Sequence, residues 1–301
     1  MLYFVQQFLN GVHSGALYAL LAFGYALTNG VVRRTNLAYG AIFAFAGQTM
    51  ILVAVWGWYV LWLVLPVTVA LGIVAGLAYA ALAGSVLSRA VLLPLAQRSP
   101  NAVVAATLGA ALVLMELARI AAETRDWWLP PLLATPVTFL AANGFRVTLT
   151  VIQLVNCAVV LAAILAMSRA LSRSAFGRRW RAVSDDPHAA RLCGVDVEQV
   201  FHRTVVAGAL IAGLAGLMAG LYFGNISFGT GLIYGLKILF VTAAGGYHAP
   251  ARAAGGAAVF GIAESLWTGY FPVEWRDAAV FLALVALLVL QSPDKQQRPV
   301  P

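Results

Sequence analysis

The sequence predicts an all-α polytopic membrane protein of about eight or nine transmembrane or re-entrant helices, with one long polar loop in the cytoplasm. Three observations lead there. Of its 301 residues, 62% are hydrophobic and only 10% are charged, so the chain cannot supply the polar surface of a soluble domain. The apolar residues fall into runs of roughly 20, the length a helix needs to cross a bilayer core. Between two such runs lies a polar island, residues 169–203, which holds seven of the nineteen basic residues and four of the eleven acidic ones.

Nine apolar segments follow in chain order: 8–32, 38–56, 60–87, 100–122, 147–168, 204–223, 232–248, 253–270 and 277–291. No charged region precedes the first and no clear small-residue cleavage site follows it, so it reads as a retained span. Segments 38–56 and 232–248 are short and carry glycine, which makes either a candidate re-entrant or broken helix. Irregular backbone at membrane depth is tolerated where it is buried or lines a water-filled path. These two segments therefore mark the expected solute pathway, with Asn36, Tyr39, Asn225, Ser227 and Lys237 as the polar candidates beside or within them. Gly213, Gly216, Gly220 and Gly224 recur every three or four residues in the sixth segment, and Gly11 and Gly15 lie four apart in the first. Such spacing lets two helix backbones approach closely and reads as packing inside the bundle.

Charge sets the orientation. With the N terminus outside, the inner loops hold Arg33, Arg34, Arg89, Arg98, the seven basic residues of the island, Arg252, Lys295 and Arg298, while the outer loops hold Arg119, Arg125, Arg146 and Arg276. By the positive-inside rule the island and the C terminus lie in the cytoplasm. The outer connection from about 123 to 146 carries Trp127 and Trp128, an interfacial anchor that could also receive a soluble partner. Three ionisable residues fall within or near spans, where facing lipid costs several kcal/mol. Glu116 has Arg119 three residues on, a local ion pair; Lys237 and Glu264 can form a buried pair or serve the pathway.

Several chemistries are missing. No G-x-x-x-x-G-K-[ST] run is present to hold nucleotide phosphates, and no H-E-x-x-H. His13, His188, His202 and His248 do not cluster with acids at metal-ligand spacing, so neither metal nor cofactor is expected. Ser227 does not sit in a G-x-S-x-G elbow, and an intramembrane hydrolase pairing it with His248 lacks an assembled nucleophile, base or metal set. Cys157 and Cys193 make no disulfide framework. The net charge of +8 flanks apolar runs rather than forming a basic face, which argues against nucleic acid.

Within the island, Asp185 and Asp186 precede His188-Ala-Ala-Arg-Leu-Cys193, with Pro187 at the first turn and Gly194 at the end. Acidic capping, Pro at N1 and Gly at C′ are the start and stop signals of a two-turn helix. Such a helix could seat in a groove on a partner, or the basic loop could rest on anionic lipid headgroups.

The residues also resemble a known family. Gly11-Val-His-Ser-Gly-Ala-Leu-Tyr-Ala-Leu-Leu-Ala-Phe-Gly-Tyr-Ala-Leu27, Asn36-Leu-Ala-Tyr-Gly-Ala-Ile-Phe-Ala-Phe-Ala-Gly47, Ala106-Thr-Leu-Gly109, the loop Gly177 to Asp196, and the pairs Gly245-Gly246 and Gly255-Gly256 are similar, in order, to the permease subunits of branched-chain amino acid ABC importers. The resemblance implies one permease domain over 1–301, with 169–203 as its cytoplasmic coupling loop. It implies that Asp185, Asp186, His188, Ala190, Arg191 and Gly194 couple to a cytoplasmic ABC ATPase. It further implies a sister permease or second copy, an extracytoplasmic solute-binding protein, a bacterial inner-membrane location, no enzymatic activity of this chain, and ATP-driven alternating access. Where the family commonly has His-Gly-Glu or Gln-Gly-Glu, this chain has Tyr39-Gly40-Ala41, and it lacks the usual Gly-Ser after Gly246. Family members also carry urea, short amides and other small polar solutes. The competing reading is an ATP-independent channel or ion-coupled carrier.

Overall fold

The computed structural model describes residues 1–301 except 97, 98, 143, 247, 248 and 292–301. Arg98, Lys295 and Arg298 of the charge count, His248 of the serine pairing and the C terminus assigned to the cytoplasm lie outside the described residues. In chain order the elements are α1 (Leu2–Val32), α2 (Ala38–Tyr59), and α3 (Leu65–Val86), which continues through a π-helical stretch (Leu87–Leu92) into α4 (Leu93–Ala96). Then come α5 (Pro100–Ala121), a hairpin of β1 (Pro136–Ala142) and β2 (Phe145–Thr150), α6 (Val151–Arg173), α7 (Ala175–Asp185) and α8 (Pro187–Leu192). The chain ends with α9 (Val197–Phe223), α10 (Thr230–Gly245), α11 (Pro250–Tyr270) and α12 (Arg276–Gln291).

Each of the nine apolar segments contains a helix, and local chemistry sets where each starts. The third begins at Leu65 rather than 60, with a proline in its first turn, a position where the missing N–H costs nothing. The fifth begins at Val151 rather than 147, because Phe145–Thr150 pairs with β1 and Gln153 folds back to accept from the Thr150 amide at 2.9 Å. The helix is capped where the strand ends. Six described helices are long and apolar enough to cross a membrane: Leu2–Val32, Ala38–Tyr59, Leu65–Leu95, Asn101–Ala121, Val151–Arg173 and Val197–Phe223.

The expectation that segment 38–56 is broken or re-entrant does not hold. Helix α2 runs unbroken for 22 residues, about 33 Å at 1.5 Å per residue. Its glycines serve contacts, not breaks: Gly40 lies against Gly231 and Gly235 of α10, and Gly47 against the Gly216 backbone of α9. Helix α10 is short, as expected. Its 16 residues extend about 24 Å, less than the ~30 Å bilayer core.

Burial divides the bundle into two layers. The spans α1, α2 and α9 are between 72% and 83% buried within the protein, whereas α3, α5 and α6 are only 22% to 28% buried. The first three form the centre, with α10 and α11 against them; the outer three present apolar side chains that only lipid or another subunit can cover. Glycine brings the central helices together. Gly11 and Gly15 face Ile262, Ala258 and Gly261 of α11, and Gly213, Gly216 and Gly220 face Ala80, Phe43 and Met50. A Cβ on Gly216 would run into the Phe43 carbonyl, which is backbone and cannot swing aside. Gly216→Val is therefore expected to cost about 1–3 kcal/mol or more through overpacking, read as a lower melting midpoint in detergent; an unchanged midpoint would contradict this packing. One buried polar clamp crosses the centre, where the Asn156 amide contacts His13 Nε2 and donates to the Met218 carbonyl, both at 3.2 Å, joining α1, α6 and α9.

The hairpin is an addition to the helical plan. It is antiparallel, Pro136 opposite Thr150, with Gly144 at a φ of 78° in its turn. Gln6 pins it to α1 by two bonds with Thr148, donating to its carbonyl at 2.9 Å and accepting from its amide at 2.8 Å.

Candidate functional site

Two regions carry the groups a function needs, the polar island and the end of the bundle nearest the α1 N terminus. In the island, α7 is fixed to the bundle. Its amphipathic face buries Trp180 and Val183, the Trp180 indole donates to the Leu27 carbonyl at 3.1 Å and the Ser184 hydroxyl to the Gly30 carbonyl at 3.0 Å. Arg33, just past the end of α1, donates to the carbonyls of Ser184 at 2.5 Å and Asp185 at 2.7 Å. Thus α7 is tied to the end of α1. Helix α8 hangs beyond it with both ends sealed. Asp186 Oδ1 accepts from the amides of His188 at 2.8 Å and Ala189 at 3.1 Å. At the other end Gly194 donates to the Arg191 carbonyl at 2.9 Å and Val195 to the Ala190 carbonyl at 3.0 Å, the paired bonds of a Schellman motif. That motif needs a left-handed residue at C′, and Gly194 has φ 78°. Ala190 is buried, while Asp185, Asp186, His188, Arg191 and Gly194 are exposed. Leu192 is 79% exposed, an apolar side chain that a partner could cover.

The Asp186 carboxyl is held below the usual carboxylate range by the two amides it caps. A depressed carboxyl contributes to helix stability above its ordinary pKa and loses that contribution as pH falls through the lowered value. Helix α8 is therefore expected to keep its cap at neutral pH and to loosen only in acid. A carboxyl titration of Asp186 by NMR with a midpoint at or above an ordinary aspartate would contradict this.

At the opposite end, Lys237 on α10 is 2% exposed and lies 2.9 Å from both Glu264 of α11 and Asp277 of α12. Arg276 adds contacts of 3.4 Å to Glu264 and 3.1 Å to Asp277. Two cations and two anions make a neutral quartet that ties three helices together. Two cavities lie nearby. One, of about 230 Å³, is lined by Glu264 and Arg276 together with Tyr18, Tyr234, Phe43 and Phe223 among others. The second, of about 370 Å³, includes Asn225, Ser227, Asp126 and Trp128. Phe43, Ala219, Phe223 and Tyr234 line both, so the two cavities adjoin.

The family model described as branched-chain amino acid transport system / permease component matches residues 7–290. The chain belongs to this permease family. Among curated relatives, the high-affinity branched-chain amino acid transport system permease protein LivH of Escherichia coli (strain K12) is 29% identical over 306 residues, and LivH of Salmonella typhimurium 28% identical over 302 residues. The counterpart BraD of Pseudomonas aeruginosa is 24% identical over 301 residues. Each alignment spans 99% of this chain and 97% of the relative. No solved structure matches the chain. The protein is thus a multi-pass membrane permease, a transport subunit and not an enzyme.

In the permease the sequence candidates fall into three groups. Asn225 and Ser227 line the larger cavity, where the Ser227 hydroxyl is 2.8 Å from that of Thr230. Lys237 is the centre of the ion quartet. Asn36 and Tyr39 are buried and line neither cavity: Asn36 Oδ1 accepts from the Ala38 amide at 3.1 Å, and the Tyr39 hydroxyl donates to the Leu21 carbonyl at 3.0 Å. The Asn36 backbone amide also donates to the Tyr25 hydroxyl at 3.3 Å, so both residues hold the start of α2 against α1. The pairing of Glu116 with Arg119 is present at 2.6 Å, on the surface. Sequence reasoning missed Asp277 as a partner of Lys237, Arg276 as the second cation on the two acids, and the tyrosines facing the smaller cavity. The adjacent acid and base at the start of the last span were the available signal.

Proposed function

We propose that the permease moves branched-chain amino acids into the cytoplasm across a bacterial inner membrane, driven by ATP hydrolysis on separate cytoplasmic subunits. The observation that carries this reading is α8: a short helix sealed at both ends, exposed along its outer side, and joined to α1 through α7. A partner closing beneath α8 would push on a central helix and not on a loose loop. Asp185, Asp186, His188, Arg191 and Gly194 face that partner, and Ala190 seats the helix on the bundle. The sister permease or a second copy covers the outer faces of α3, α5 or α6. An extracytoplasmic solute-binding protein docks near the hairpin, where Val137, Phe139 and Leu140 are exposed. The orientation follows the charge count, with the N terminus outside and the island in the cytoplasm.

The substrate class rests on the relatives' names, and Tyr39-Gly40-Ala41 does not argue against it. Ala41 is buried beside Gly231 in a small gap of about 10 Å³ that Gln48 also lines, so this position is set by packing of α2 on α10. The test is uptake by the assembled transporter from a mixture of leucine, isoleucine, valine, urea and acetamide. Leucine, isoleucine and valine should enter and compete with one another. Entry of urea or acetamide in their place would assign the permease to the amide-carrying branch.

A further inference from the structure

Within the ion quartet two groups are left over. Glu264 is 90% buried by side chain, with 10% exposed, and its Oε1 takes Lys237. Its Oε2 is buried and meets no donor at hydrogen-bond geometry, although the Tyr18 phenol approaches the carboxylate. Arg276 meets both acids of the quartet closest through Nε; its two terminal nitrogens make no hydrogen bond among the described residues. Both side chains line the cavity of about 230 Å³. A buried carboxylate oxygen with no donor is costly unless something polar completes it, and beside it the partly exposed Arg276 leaves its fork open to a ligand.

We propose that this cavity is a binding site for a zwitterionic, apolar α-amino acid within the permease itself, its ammonium on the Glu264 carboxylate and its carboxylate on the Arg276 fork. A guanidinium presents two parallel donors that match a carboxylate, and the two halves of the ligand sit as close together as Glu264 and Arg276 do. Leu17, Leu21, Phe43 and Phe223 line the rest of the cavity and receive the side chain. Net charge selects the class. The quartet sums to zero, so a zwitterion leaves the site neutral, whereas a purely cationic or anionic solute buries an uncompensated charge. Urea or a simple amide leaves both unpaired groups with only neutral partners. Size agrees, since the cavity is below the ~300–1,000 Å³ of sites for drug-sized ligands. The proposal deepens the amino-acid reading by placing a second recognition step inside the permease, and it rests on that reading only for its biological use.

The test is equilibrium binding of radiolabelled L-leucine to the full purified chain in lipid nanodiscs, with no binding protein or ATPase present. Saturable binding is expected, displaced by valine and isoleucine. Leucinamide, which lacks the carboxylate, 4-methylpentanoate, which lacks the ammonium, and urea should each compete at least about tenfold less well. Arg276→Gln should weaken binding at least about tenfold. Ser14→Leu, which fills the cavity from α1 without touching the quartet, should abolish it at an unchanged melting midpoint. Absence of saturable leucine binding to the wild-type chain, or leucine binding by Ser14→Leu equal to wild type, would overturn the site. Uptake by the assembled transporter separates the two readings. A chain that binds leucine in a transporter that carries only urea sinks the transport reading and keeps the site; a leucine transporter whose permease binds no leucine does the reverse.

Discussion

Replacing Lys237 by methionine is expected to destabilise the permease by about 3–5 kcal/mol, because it removes the buried cation of the quartet and leaves its two acids with Arg276 alone. Lys237 is 2% exposed and Glu264 10% by side chain, so neither solvent nor lipid headgroups can replace the lost partner. Asp277, 44% exposed, can turn to water and contributes less. Three helices depend on this one ammonium: α10 carries it, α11 supplies Glu264 and α12 supplies Asp277. The Lys237→Met chain should melt well below wild type in detergent. Adding Glu264→Gln should recover most of the loss, since a neutral amide no longer needs a cation. A single variant that melts with the wild type, or a double variant no better than the single, would show that the quartet does not hold these helices.

The second large effect belongs to α8. Gly194→Pro removes the amide that bonds to the Arg191 carbonyl and demands φ near −65° where the chain has 78°, so the helix loses its C-terminal seal. Asp186→Arg removes the N-terminal seal and sets a positive charge on the positive end of the helix. Neither change touches the bundle, and the protein should still insert and fold. In the assembled transporter each variant should hydrolyse ATP while uptake falls at least about tenfold, the consequence of losing ~1.4 kcal/mol of productive docking. Uptake at the wild-type rate in both variants would remove α8 from the coupling path.

Much of the fold was legible because membrane physics leaves few choices. Apolar length found the helices, and Asp186, Pro187 and Gly194 marked α8 to the residue because capping is local chemistry. What failed were features that depend on neighbours. The glycines of segment 38–56 look like helix breakers along the chain, yet Gly40 and Gly47 exist for backbones that pack across from them. The start of α6 was placed early because residues 147–150 are apolar enough for a span. The Asn143-Gly144 pair between Thr- and Val-bearing runs was the hairpin signal. The candidate site was less legible. Lys237 and Glu264 were visible as ionisable residues in spans, but which acid meets which base depends on how α10, α11 and α12 pack together. Asn36 and Tyr39 were polar near a glycine-bearing segment, and the fold spends them on holding α2 against α1.

The central claim, that this chain is the membrane path of an ATP-driven amino-acid importer, is tested most directly in proteoliposomes. The permease, its sister subunit and the ATPases are reconstituted with the binding protein outside, and leucine uptake is followed with and without ATP inside. Uptake that requires both ATP and the ATPases, and that fails when Gly194→Pro replaces the wild-type permease, is the result expected. Leucine entry that continues without ATP, or with the ATPases omitted, would make the chain a channel or an ion-coupled carrier and contradict the account.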